Sequence, residues 1–515
     1  MDFLHAHAPA EIIRESLIGL EKESLRVALD GHIAQTPHPT GLGSALTHPH
    51  ITTDYAEAQL ELITSPHRSI KTVLKQLDDL HRWVYANLDD EFLWVTSMPC
   101  IIDGEESIRI ARYGNSNLGK MKTVYRRGLG HRYGKLMQVI SGVHFNYSLP
   151  DVFWRALREY SGSDEELVRF RSEKYMAMLR NLQRMGWLIP YLFGASPAVC
   201  ESFLNHQPTT LEYLGRNTYY EPFATSLRLG DIGYQNSKEG MTGVLINYNH
   251  LKGYIGSLEN ATETPCPQYA RIGVEVNGEY RQLNDHQLQI ENEYYSSVRP
   301  KTVLKTLEKP VLAMESRGIE YIELRSVDVN AFDPLGISES QLYFLEAFMI
   351  LAALQPSPPI QTSERFTIDN NINLAAHWGR DPELILGKAG GNTTLRSWAD
   401  QILRQLEPLC AWLDQDLPGA PYSAAWREQR EKIEHPEQIP STQIIEQLRQ
   451  NKESFFEFAK RQSRQTADYF QARPLDPARQ QRFAAEARHS REQQMKLEQT
   501  DRTPFPEFLE TYFAS

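Results

Sequence analysis

The sequence predicts an α+β protein, on two observations. Five short segments, far apart in the chain, alternate polar with apolar residues as strands do. Stretches of helical period lie between them, without the regular βαβ alternation of a doubly wound sheet. At 515 residues the chain exceeds the usual single domain, so one large body with an appendage, or two domains, is expected.

The strand-like segments are residues 19–27, 56–63, 142–149, 289–295 and 318–326. Residues two apart on a strand share a face. Glu21 therefore joins Glu23, Glu57 joins Glu61, His144 joins Asn146, Glu291 joins Glu293 and Tyr295, and Glu323 joins Arg325. The second segment is ambiguous, because Asp54, Glu57 and Glu61 would also share a helical face; the following Leu62, Ile63, Thr64 and Pro66 favour a strand. If the segments belong to one sheet, its inner face collects like charges. Two carboxylates about 4 Å apart repel by roughly 4 kcal/mol at an effective dielectric near 20. Such a face needs cations, and magnesium ions holding nucleotide phosphates are the natural supply.

Helices separate the strands. Apolar residues at 70, 73, 74, 77, 80, 83 and 84 predict an amphipathic helix. Ser163-Asp-Glu-Glu166 reads as a capping box opening a helix through Leu182, with Gly186 as its stop. Residues 342–354 read as a buried helix. The proline-rich stretch 355–359 then separates a catalytic body, residues 1–355, from a mainly helical, charged region, residues 356–515, packed on it.

Composition limits the function classes. The chain is 41% hydrophobic and 23% charged, as in ordinary globular proteins. Its net charge of -12 argues against a nucleic-acid partner; solubility and a metal site explain that acidity equally. The cysteines at 100, 200, 266 and 410 stand isolated, which supports neither a zinc site nor a disulfide framework. With no secretory pattern at the N-terminus and no apolar run long enough to span a bilayer, a cytoplasmic protein without membrane contact is expected.

Two glycine-rich stretches, 128–136 and 41–46, lack the spacing of phosphate-binding loops and read as turns. Any ATP would then be held through metals and side chains. His144, between Val143 and Phe145, reads either as a hydrogen-bonded core histidine or as a ligand. Glu323 with Arg325 reads either as a surface ion pair, worth about 0–1 kcal/mol, or as a metal carboxylate beside a phosphate-binding guanidinium. Arg228 with Tyr125, Tyr234 and Tyr295 suits a small carboxylate ligand, although buried tyrosines more often simply pack.

Together these segments resemble a known family. Gly19-Leu-Glu-Lys-Glu-Ser-Leu-Arg26, Leu46-Thr-His48, Ile51-Thr-Thr-Asp-Tyr-Ala-Glu-Ala58, Ser97-Met-Pro-Cys100, Leu136-Met-Gln-Val-Ile-Ser-Gly-Val-His144, Ile189-Pro-Tyr-Leu-Phe-Gly-Ala-Ser-Pro197, Ala224-Thr-Ser-Leu-Arg-Leu229, Gln289-Ile-Glu-Asn-Glu293 and Gly318-Ile-Glu-Tyr-Ile-Glu-Leu-Arg-Ser326 are similar, in order, to motifs of the bacterial glutamate–cysteine ligases. The resemblance spans about residues 18 to 334.

It implies a glutamine synthetase-like fold, a curved antiparallel sheet cupping ATP and divalent metals. It implies metal roles for Glu21, Glu23, Asp54, Glu61, His144 and Glu323, and a nucleotide-phosphate contact for Arg325, with Glu323 and Arg325 at the catalytic centre. It places Tyr125, Leu129, Gln138, Arg228, Tyr234 and Tyr295 in a cysteine pocket. The implied activity is ATP-dependent ligation of L-glutamate to L-cysteine through γ-glutamyl phosphate, the first step of glutathione synthesis. Magnesium is the expected metal, with manganese as the alternative, and a monomer is expected. The alternatives are a carboxylate–amine ligase with another acceptor, and a non-catalytic nucleotide-binding regulator. A glycosidase fits worse, since it needs one acid–base pair rather than six metal-type side chains around an arginine.

Overall fold

The computed structural model describes residues 2–205, 207–233 and 243–514. A seven-stranded antiparallel sheet lies at its centre, formed by β1 (Leu17–Ala28), β2 (Ile51–Thr53), β3 (Gln59–Ile63), β4 (Glu91–Leu93), β5 (Gly142–Ser148), β6 (Val298–Lys301) and β7 (Tyr321–Asp328). The order across the sheet is β6-β7-β5-β1-β3-β2, with β4 paired to the far end of β1. Four of the five expected strand segments are present. A bulge between Leu324 and Val327 shifts the β7–β5 register and bends the sheet at that edge.

The period-two pattern divides the sheet into two unlike faces. Leu20, Leu60, Leu62, Val143, Phe145, Tyr147, Ile322 and Leu324 are buried on one side, where helices cover them. Helix α1 (Ile70–Tyr85) packs against β1 and β3, and Ser69 caps it by accepting from the Thr72 amide. Helix α2 (Asn117–Tyr133) belongs instead to the polar side. Helix α3 (Leu167–Met185) packs against α4 (Glu339–Leu354), which is buried on nearly all sides as its apolar sequence predicts. The α3 cap is Glu166 rather than Ser163, since the Glu166 carboxylate accepts from the Arg169 amide. Gly186 ends this helix, as expected.

Beyond residue 355 the chain is mainly helical and returns to the body at several points. Helix α5 (Pro421–Glu434) packs on α4, and α6 (Phe455–Gln471) on α1 and β4. Helix α7 (Pro477–Thr500) crosses the 3-10 turn Thr40–Leu42, and α8 (Phe505–Ala514) lies on α2. No helix among the described residues is long and apolar enough to cross a membrane.

Three further local expectations are corrected. Residues 289–295 form no strand: Glu291–Glu293 is a 3-10 turn, because the Glu293 carboxylate accepts from Arg132 Nη1 and Tyr133 Oη, each at 2.8 Å, and from the Gln289 amide. Gly128 and Gly130 lie inside α2 rather than in turns, where they give room to Gln289 and Tyr55 respectively. Cys100 and Cys200 form a disulfide with a Cα–Cα distance of 5.5 Å, although their separation of 100 residues gave no sign of it.

Candidate active site

The sheet register assembles the polar face. Glu23 pairs with Glu61, Glu21 with His144, and Glu323 with both Asn146 and Arg299 on its two sides. This face floors a cavity of about 280 Å³, which α2 and the turn around Glu293 enclose. Of the residues expected in the site, Glu21, Glu23, Asp54, Glu61, Tyr125, Leu129, Gln138, Tyr295, Glu323 and Arg325 line it. Tyr234 lies outside the described residues. Glu57 turns away, accepting from the backbone amides of His38 and Arg112.

His144 is the hub of the acidic cluster. Its Nδ1 lies 3.2 Å from Glu21 and 3.6 Å from Glu323, and its Nε2 lies 3.5 Å from Glu23. Asn146 donates to the second oxygen of Glu21 at 2.9 Å, and the Gly142 amide donates to Glu23 at 2.8 Å. Burial and the neighbouring charges of Glu21, Asp54 and Glu23 push the Glu61 carboxyl well above the usual range. Burial likewise raises Glu23. Glu323 is held well below that range: burial opposes ionisation, but Lys301 and Arg325 outweigh it. Glu21 also lies below the usual carboxylate range: burial opposes its ionisation, but the His144 hydrogen bond and the charges of His144 and Lys301 outweigh it.

The donor set fits a hard divalent cation. One oxygen each from Glu21 and Glu323 and one nitrogen of His144 lie within 4.8 Å of one another, with further carboxylates alongside. An imidazole among carboxylates suits manganese as well as magnesium.

Cations missed at the sequence level complete the wall. Arg126 of α2, and Arg299 and Lys301 of β6, line the cavity with Arg325. The Val-Arg-Pro-Lys alternation at 298–301 was a legible signal for two of them, and Arg126 adjoins Tyr125. Lys301 Nζ lies 3.1 Å from Glu323.

Arg228 sits behind the wall rather than on it. Its side chain is buried; Nη2 donates to the Arg325 carbonyl at 2.7 Å, and Nη1 lies 3.6 Å from Asp328. Asp328 also accepts from the hydroxyls of Ser196 and Ser226 and from the Ala195 amide, tying the Arg228 turn to the end of β7. Gly142 makes room for this guanidinium: a Cβ there would lie 2.1 Å from Nη2.

An antiparallel sheet with a carboxylate-rich, cation-bordered inner face is the glutamine synthetase-like architecture of carboxylate–amine ligases, and the chain is an enzyme of that class. The model of the glutamate–cysteine ligase family matches residues 1–375. The glutamate–cysteine ligase of Alcanivorax borkumensis is 43% identical over 500 residues, covering 96% of this chain and 95% of its own. That of Pseudomonas paraeruginosa is 45% identical over 512 residues, covering 99% and 97%. The crystal structure of glutamate–cysteine ligase from Francisella tularensis in complex with AMP superposes with a TM-score of 0.91 at 34% identity, covering 97% of each chain. A bifunctional glutathione synthetase from Pasteurella multocida gives a TM-score of 0.72 at 25% identity, covering 92% of this chain and 54% of that one. The chain belongs to the glutamate–cysteine ligase family.

Proposed function

We propose that this chain joins the γ-carboxylate of L-glutamate to the amine of L-cysteine at the expense of ATP, the first step of glutathione synthesis. The observation that carries this is the meeting of Glu21, Glu323 and Arg325 in one cavity, with His144 against both carboxylates, whose other wall is Tyr125, Leu129, Gln138 and Tyr295. A carboxylate cannot expel oxide when an amine attacks, so the γ-carboxylate oxygen first takes the terminal phosphoryl group of ATP and ADP leaves. The free amine then adds to the acyl carbon, and the tetrahedral adduct loses phosphate and a proton to give the amide. No protein nucleophile is needed.

Magnesium or manganese held by Glu21, Glu23, Asp54, Glu61, His144 and Glu323 would neutralise phosphate charge. Arg325, oriented by Glu323, aims its guanidinium at the phosphoryl group as charge grows there. Arg126, Arg299 and Lys301 add positive potential around the same oxygens. Tyr125, Leu129, Gln138 and Tyr295 seat the acceptor, and Arg228 supports that seat from behind through β7. Holding the two reactants in line supplies several kcal/mol.

The test is phosphate release with glutamate, ATP and a panel of amines. Cysteine is the best acceptor, and 2-aminobutyrate is weaker but measurable. Use of another amine as efficiently as cysteine would reject cysteine ligation in favour of a ligase with a broader acceptor. Nucleotide binding without turnover on any amine would leave a regulator.

A further inference from the structure

The C-terminal segment 501–514 touches one functional wall, and it does so through two chemically different contacts. At the start of α2, Asp501 accepts from both the backbone amide and the side-chain amide of Asn117, the latter at 2.6 Å. The same Asn117 side chain also donates to the Thr503 carbonyl at 2.7 Å. A carboxylate at a helix N-terminus satisfies amides that the helix leaves unpaired and complements its dipole. One to two turns further along, α8 lays Phe505, Phe508 and Leu509 against Met121, Val124 and Tyr125. This small apolar cluster is separate from the main core. On its far side, the Lys309 ammonium donates to the Phe513 carbonyl at 3.2 Å.

Helix α2 carries Tyr125, Arg126 and Leu129 into the cavity. Its inner face meets the cavity and its outer face meets α8, so the strap backs the N-terminal half of the wall from outside, while Arg132 and Tyr133 tie its C-terminal end to Gln282 and Glu293. Resting on the acceptor-pocket reading above, we propose that Asp501 and Phe508 are positioning residues, and that the 501–514 strap sets the place of the acceptor wall through α2. Coupling of this kind is reciprocal: an acceptor bound against Tyr125 and Leu129 tightens the strap by the factor that the strap adds to acceptor affinity.

Two measurements on the full-length enzyme test this. Arg502 is exposed in the connection before α8, so tryptic cleavage after it reports opening of the strap. With magnesium and a non-hydrolysable ATP analogue present throughout, adding cysteine slows release of the 503–515 fragment at least threefold; an unchanged rate overturns the coupling. In steady-state kinetics, Phe508→Ala and Asp501→Ala raise the cysteine KM about five- to tenfold with the ATP KM changed less than twofold, and Phe508→Leu restores it. A uniform loss in both KM values, or none, overturns the positioning role. Leu129→Ala separates the two levels. If it leaves the cysteine KM unchanged, the pocket assignment fails; if it raises the KM while Phe508→Ala does not, only the strap inference fails.

Discussion

Arg325 donates from Nη1 to Glu323 Oε1 at 2.9 Å, two residues along the same strand and inside the acidic cavity. The pair orients itself: Glu323 is fully buried and kept ionised by Lys301 and Arg325, and it fixes one edge of the guanidinium. Arg325 Nε is buried and makes no hydrogen bond among the described residues, while the side chain as a whole lines the cavity.

Replacement Arg325→Lys keeps the charge and loses the fork. The expected result is a fall in kcat on the order of 10²-fold, with the cysteine KM nearly unchanged, because the phosphoryl charge grows in the transition state. Phosphate-release kinetics check it. A change confined to the cysteine KM would move Arg325 to the acceptor site.

Glu61 sits among like charges, so Glu61→Gln removes repulsion together with a metal donor. The metal-free protein should melt about 1–2 °C higher in EDTA, while the magnesium needed for half-maximal activity rises on the order of tenfold. Thermal melts and a magnesium titration measure the two effects. A lower melting temperature with an unchanged magnesium requirement would remove Glu61 from the site.

Glu346 provides a pH signature far from the acidic face. Burial pushes its carboxyl up from 4.5 to about 7, against the hydrogen bond that the Tyr422 hydroxyl donates at 2.8 Å. The folded value is raised, so its contribution to stability is fully present below about pH 4.5 and lost as the pH rises through about 7. The loss between pH 5 and 8 is roughly 3 kcal/mol. Glu346→Gln should flatten that slope in urea unfolding. Identical slopes in the two proteins would contradict the buried, protonated carboxyl.

The Cys100–Cys200 disulfide closes a loop of 100 residues. Restricting the unfolded chain over that length is worth up to about 4–5 kcal/mol, and roughly 2–4 kcal/mol is the usual yield. Cys100→Ser with Cys200→Ser should lower the melting temperature, and reduction of the wild type should lower it to the same extent. An unaltered melt in both experiments would show that the bond adds nothing.

The sequence by itself determined the acidic face. Alternation is local, and a period of two commits every second side chain to one side wherever a strand forms, so Glu21, Glu23, Glu61, His144, Glu323 and Arg325 could be grouped before any pairing was known. Helices α1 and α4 were legible for the same reason, their apolar period or continuous apolar run being written within one short stretch.

Tertiary structure decided whatever depends on a distant partner. Residues 289–295 alternate as a strand does, yet they fold as a turn because Arg132, 161 residues away, claims the Glu293 carboxylate. Arg228, expected to face a ligand, is drawn behind the wall by Asp328 and the Arg325 carbonyl. Neither the sulfur bond between Cys100 and Cys200 nor the strap across α2 leaves a periodic trace. Periodicity specifies which face a side chain takes. Which charge, thiol or ring it meets there is set by the packing of segments hundreds of residues apart, and that information is carried by no single segment.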